Sequence, residues 1–233
     1  MEPQANTAQY NKVPAEWPGA SKLFKYAKSA TLTNWVLYLI VSVVGGILSS
    51  VITNDRDASI SILVGANLVA LLVSTFVAAC TTNIELKNVL HEKTDFNRVL
   101  SAAANRYLGF LGMTIMLYVL LTLCALAFLV PLFIVGPRVS LAQYFYFDQN
   151  LSPMEAIKAS WEATSGNVGK VWGIIGMCLL YALIAVTIIG IPVAIYLLFM
   201  FSSAPALLYM WLKPGKQTGP VAPSAPVAPA PVA

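Results

Sequence analysis

The chain has 233 residues, 58% of them apolar and only 10% charged, with a mean hydropathy of +0.73. Soluble domains are about a quarter charged, so one buried core does not account for the shortfall, and the length leaves room for a membrane domain with short tails but not for an added soluble catalytic domain. The net charge of +4 is small, so its placement matters more than its size.

Residues 1–19 are polar, carry Pro3, Pro14 and Pro18, and are expected to be a mobile tail. They lack the short apolar core and cleavage site of a signal peptide, so the first apolar helix is expected to act as an uncleaved signal-anchor. Ala20, Leu23, Phe24 and Ala27 then recur at helical spacing with Lys22, Lys25 and Lys28 between them, which predicts a basic amphipathic helix. A first span is expected from about Thr33 to Thr53, a polar turn at Asn54-Asp55-Arg56-Asp57, and a second span from about Ser59 to Cys80.

Residues 81–107 turn polar again, and Phe96, Val99, Leu100, Ala103 and Tyr107 mark a second amphipathic helix. Leu108 to Phe147 and Gly173 to Leu212 are almost free of charge. Each is about 40 residues long, twice what one membrane-crossing helix needs. Each holds a proline near its middle, Pro131 and Pro192, and reads as a helical hairpin. Between them Ser152-Pro153-Met154-Glu155 is a capping box with proline at the first helical position. It opens a third amphipathic helix, with Met154, Ile157 and Trp161 on one face and Gly166 at its end. Pro214 stops the last helix, and residues 213–233 form a Pro/Ala-rich tail with no means of packing a core.

Arg106 to Met113 lines up with Lys170 to Met177: a basic residue, two glycines three apart and a methionine coincide. The layout of amphipathic helix followed by hairpin recurs more loosely in the first third. The expected fold is therefore all-α and polytopic, six transmembrane helices in three such units spanning residues 20–212. Gly109, Gly112, Gly173 and Gly176 are read as helix-packing positions, as are Gly45-Gly46 and Gly65-Ala66. Lysine and arginine gather on one side of this layout, at residues 12–28, 87–106, 158–170 and 213–216, with only Arg56 opposite. The positive-inside rule then places both termini and all three amphipathic helices in the cytoplasm, across the plasma membrane.

Lys22, Lys25, Lys28, Arg98, Arg106, Lys158 and Lys170 are candidate headgroup contacts on these helices, set against a simple topological role for their charge. Arg138 sits about seven residues into the fourth span, roughly 10 Å below its outer end. An arginine at such depth needs a partner or a wet cavity. Gln143, Asn67, Asn34, Asp148 and the carbonyls near Gly136-Pro137 are candidates, and Arg138, Gln143 and Asn67 define a candidate polar pocket for an anionic group such as a lipid phosphate. Cys80, Cys124 and Cys178 lie in apolar stretches without a CxxC pair and read as unpaired thiols. The single histidine, His91, has no ligand neighbour in sequence, so no metal site is expected. No phosphate loop, Gly-x-Ser-x-Gly or HExxH occurs, so neither a catalytic site nor a cofactor is expected.

Val135-Gly136-Pro137-Arg138-Val139-Ser140-Leu141-Ala142, then Asp148, then Ser152 to Trp161 resemble the bacterial membrane domain attached to some glycerophosphodiester phosphodiesterases and its stand-alone six-span relatives. The basic helix leading into Asn34-Trp35, and Ala204-Pro205-Ala206-Leu207-Leu208-Tyr209, are similar to that group's entry and closing segments. The resemblance covers about Ser21 to Leu212. It departs at Asp148, where the family often has glutamate, and it implies a membrane scaffold without hydrolase activity, the catalytic domain of the fused members having no counterpart here. The resulting expectation is a non-enzymatic multi-pass protein that organises lipid or holds a protein partner at the cytoplasmic face, with no nucleic-acid partner. The alternatives are a small transporter or channel around Arg138, and a membrane subunit of a separately encoded enzyme.

Overall fold

The computed structural model describes residues 17–53, 60–127, 129–184 and 190–213, and among these every regular element is an α-helix. The expected tails at residues 1–16 and 214–233, the polar turn around Arg56 and the tips of both long hairpins lie outside the described residues. The first third of the chain holds α1 (Ala20–Thr31), α2 (Trp35–Thr53) and α3 (Ile60–Val89). The second comprises α4 (Phe96–Asn105), α5 (Tyr107–Ala127), α6 (Leu129–Val139) and α7 (Ala142–Asp148). The last comprises α8 (Pro153–Thr164), α9 (Val168–Ile184), α10 (Gly190–Phe201) and α11 (Ala204–Leu212). Neighbours in sequence pack as hairpins: α2 on α3, α5 on α6, α9 on α10.

By length and composition three helical stretches suffice to cross a membrane, Gly65–Val89, Tyr107–Leu126 and Ile191–Leu212. Two more qualify only as bent pairs: α1 turns 94° into α2, and α8 turns 97° into α9. The expected fourth span is not one rod. Pro137 lies inside α6 and cannot donate to the preceding turn. Ser140 Oγ donates to the Pro137 carbonyl at 2.8 Å, and the chain breaks before α7. A second break falls at Ser202-Ser203, after which Pro205 opens α11. Pro131 and Pro192 stand in the first turns of α6 and α10, where a missing N–H is harmless; they start the return helices. The second span also differs from expectation, since α3 runs nine residues past Cys80 and carries Glu85 and Asn88 inside a helix.

Burial is concentrated at one end. Among the described side chains, those buried in α5 are Phe110 and Met113, both in its first two turns, and those of α3 are buried only from Thr75 onward. Around them pack Leu23 and Ala27 of α1, Tyr144, Phe145 and Tyr146 of α7, and almost all of α11. Beyond this base the shafts expose Val43, Val44, Ile47, Leu123, Leu126, Leu179 and Leu183, and only 11% of the Tyr107–Leu126 stretch is buried. Trp17, placed by sequence in the mobile tail, meets Trp211 edge-on at 5.9 Å.

The amphipathic helices have three faces rather than two. On α8 the side packed inward is Ala156, Ser160 and Thr164, all fully buried, whereas the predicted apolar stripe leaves Met154 and Trp161 exposed. Glu155 and Glu162 occupy a third, polar flank. On α4, Val99 and Ala103 turn inward while Phe96 and Leu100 stay outside. Small residues permit close packing on the bundle, and the large apolar ones remain for another medium. The capping box forms as predicted: Glu155 N–H donates to Ser152 Oγ and Ser152 N–H to Glu155 Oε2 at 3.0 Å. Gly166, at φ +78°, makes the turn into α9.

Of Gly109, Gly112, Gly173 and Gly176, two stand at close approaches. A Cβ on Gly109 would lie 2.2 Å from the Tyr146 hydroxyl, and one on Gly173 3.1 Å from Ala20 Cβ, whereas at Gly112 and Gly176 it meets nothing within 4 Å. Gly45 packs closely on Val77, while Gly46 and Gly65 face open space. Gly109→Ala therefore is expected to lower stability by about 1–3 kcal/mol through overpacking, and Gly112→Ala to raise it by about 0.5–1 kcal/mol through helix propensity. Thermal unfolding of both variants in detergent separates them.

The Ser152 hydrogen bonds, side-chain first, hold the Glu155 carboxyl below its ordinary pKa of 4.5. A depressed carboxyl pKa gives stability that is full above pH 4.5 and is lost as pH falls through the lower folded value. Glu155→Gln is expected to flatten this acid limb, read as unfolding temperature against pH.

Candidate functional site

The base of the bundle is closed by polar side chains at helix starts. Asn34, just before α2, donates from Nδ2 to Asn88 Oδ1 at 2.9 Å and to the Glu92 carbonyl at 2.8 Å, and its Oδ1 accepts from Thr94 N–H at 3.0 Å. Arg106, at the joint of α4 and α5, donates to the carbonyls of Tyr146 and Leu151 and to Asn150 Oδ1, each at 2.7 Å, with its guanidinium 4.1 Å from the Tyr146 ring centre. Lys170, near the start of α9, lies 3.8 Å from the Trp211 ring centre. In each hairpin the residue that opens the outgoing helix grips the end of the returning one.

A second set of contacts joins different hairpins, with one further bond, from Tyr38, inside the first. Glu85 of α3 is buried, and its carboxyl accepts from Tyr144 of α7 at 2.6 Å and Tyr38 of α2 at 3.2 Å. Asp148 of α7 accepts from Tyr209 of α11 and pairs with Lys213. Tyr144 and Tyr209 stack with centroids 5.8 Å apart, and Phe145 meets Tyr209 edge-on at 4.7 Å. A carboxyl group withdrawn from water is costly unless hydrogen-bonded, and the two phenols supply those bonds to Glu85. None of Glu85, Tyr38, Tyr144, Tyr209 or Lys213 stood out as a site residue in the sequence. A signal was present: Thr81 and Glu85, Tyr144 and Asp148, and Tyr209 and Lys213 are all four apart near the ends of returning helices.

The candidate pocket does not assemble. Asn67 is exposed on α3, about 27 Å along the helix axis from Glu85, where Tyr144 arrives; it is too distant to share a site with its neighbour Gln143, which is half-buried in α7. Asn34 and Asp148, also considered as partners of Arg138, are committed elsewhere as above. Arg138 stands in the last turn of α6, about 14 Å from its start, deeper than expected and beside α8. Its guanidinium lies 4.6 Å from the Trp161 ring centre, and its carbonyl accepts from Ser160 Oγ at 2.7 Å and Thr164 Oγ1 at 3.2 Å. Among the candidate headgroup residues, Lys22, Lys25, Arg98 and Lys158 are exposed. Lys28 is half-buried, 5.8 Å from the Tyr196 ring centre. Arg106 and Lys170 serve the internal contacts described above. Cys80 is buried, Cys124 and Cys178 are half-buried, and all three are free thiols.

Comparison of the chain with protein-family models, with curated proteins and with solved structures gives no match.

Tyr144→Phe removes one of two donors to a buried carboxyl group and is expected to cost about 1.5–3 kcal/mol. Combined with Glu85→Gln in a double-mutant cycle, it should show a coupling above about 0.5 kcal/mol; additive losses would show that the two groups do not act together.

Proposed function

We propose that this chain is a non-enzymatic, multi-pass protein of the plasma membrane, with six crossings, three units and both termini in the cytoplasm, that engages lipid and offers its polar base to protein partners. The observation that carries the membrane reading is the pairing of long, outward-apolar shafts with amphipathic helices turned through nearly a right angle. A helix perpendicular to a membrane-crossing neighbour lies in the plane of the interface, where an apolar flank meets acyl chains and a charged flank meets headgroups or water.

Two regularities support the three-unit description. A residue at the start of each outgoing helix reaches the returning one: Asn34 to Asn88, Arg106 to Tyr146 and Lys170 to Trp211. Hydroxyls of Tyr144 and Tyr209 each reach the carboxyl group at the end of the preceding unit, Glu85 and Asp148. The likeness to the membrane domain of glycerophosphodiester phosphodiesterases belongs to the same proposal and assigns no chemistry to it. A dense base stitched by aromatic rings and directional hydrogen bonds suits a scaffold.

Single cysteines introduced into a cysteine-free background test the topology. Lys22→Cys, Arg98→Cys and Lys158→Cys, one in each amphipathic helix, are expected to react with a membrane-impermeant maleimide only after cell lysis, and Arg56→Cys in intact cells. Labelling of Arg98→Cys and Lys158→Cys from opposite sides would overturn the three-unit reading.

A further inference from the structure

The geometry points to a binding site for the phosphate of an anionic glycerophospholipid at Arg138 and Trp161, a proposal that rests on the lipid-engaging reading above and locates one contact within it. Arg138 ends a helix whose Phe133 and Ile134 are about half exposed, so α6 presents an acyl-chain-like surface directly above the guanidinium. Trp161 and Met154, on the exposed apolar flank of α8, form a second such surface, and Lys158 lies one turn from Trp161 on the same helix and is exposed. Because α8 is turned 97° from α9, and α6 packs against both, these surfaces meet in a corner. One wall runs along a membrane crossing and the other along the interface. The corner matches a lipid, chain against one wall and headgroup against the other.

The cation in that corner is held but not neutralised. Trp161 supports one face of the guanidinium, and Ser160 and Thr164 fix the Arg138 backbone through its carbonyl. Arg138 Nε is buried with no acceptor among the described residues. The three ion pairs among the described residues lie elsewhere, at Lys87–Glu92, Arg98–Asp95 and Lys213–Asp148. A guanidinium offers planar, paired donors matched to phosphate oxygens. Phe133 stacks on Trp172 at 5.6 Å, which adds a second indole of the kind enriched at headgroup level.

Native mass spectrometry of the full-length protein in detergent, titrated with phosphatidylglycerol or phosphatidylcholine, tests the site. Wild type is expected to retain phosphatidylglycerol selectively. Arg138→Gln is expected to reduce that occupancy at least fivefold without changing phosphatidylcholine, and Trp161→Leu to reduce it severalfold. Trp161→Leu carries the test alone if Arg138→Gln does not fold. Wild-type phosphatidylglycerol binding in the folded variants overturns the site. If only the triple variant Lys22→Gln, Lys25→Gln, Lys28→Gln loses the preference, lipid engagement stands and this site falls. Stabilisation by inorganic phosphate that depends on Arg138, without an effect of phosphatidylglycerol, overturns the lipid assignment in favour of the free anion.

Discussion

The fold depends on satisfying polar groups at one end of an otherwise apolar bundle. Two carboxyl groups, Glu85 and Asp148, are drawn among packed aromatic rings, and each takes a hydrogen bond from a tyrosine of a later helix. These contacts are directional, so they fix which hairpin lies beside which, a choice that apolar shafts in lipid leave open because lipid is as apolar as the shafts themselves. Arg106 adds three hydrogen bonds to two carbonyls and one amide oxygen across the mouth of its own hairpin. Register within a hairpin and order between hairpins are thus set in one polar layer.

The layer also explains several local choices. Gly109 is needed because the Tyr146 ring must cross α5 to bring its hydroxyl to the Arg106 carbonyl, 2.9 Å away. The breaks before α7 and α11 let two short aromatic helices lie where a straight rod would have passed through the base. Both breaks sit beside prolines and serines, residues that disrupt or rebond the helical backbone.

Much of this was legible in the sequence because it follows from period and composition. The three amphipathic helices and the Ser152 capping box appear where spacing put them, and the apolar stretches pair as helices although the fourth breaks at Ser140. The distribution of contacts was not legible. Glu85 read as one charge among several in a polar connection, because nothing local reveals that α3 continues to Val89 and that Tyr38 and Tyr144 arrive from 47 and 59 residues away. Arg138 read as a mid-span charge because the helix break at Ser140 shortens α6 and brings α8 beneath it. The stripe Met154, Ile157 and Trp161 read as one apolar face, and periodicity gives the direction of such a stripe but not whether protein or lipid will cover it.

The uneven distribution of packing has a mechanical consequence. The base is dense and aromatic, whereas α5 beyond Met113 buries none of its described side chains. In a bilayer whose thickness changes, hydrophobic mismatch is relieved by tilt at a fraction of a kcal/mol per ångström. The shaft of α5, joined at the base and unsupported beyond it, can tilt while the joint stays rigid, a movement that would meet bilayers of different depth without repacking the core.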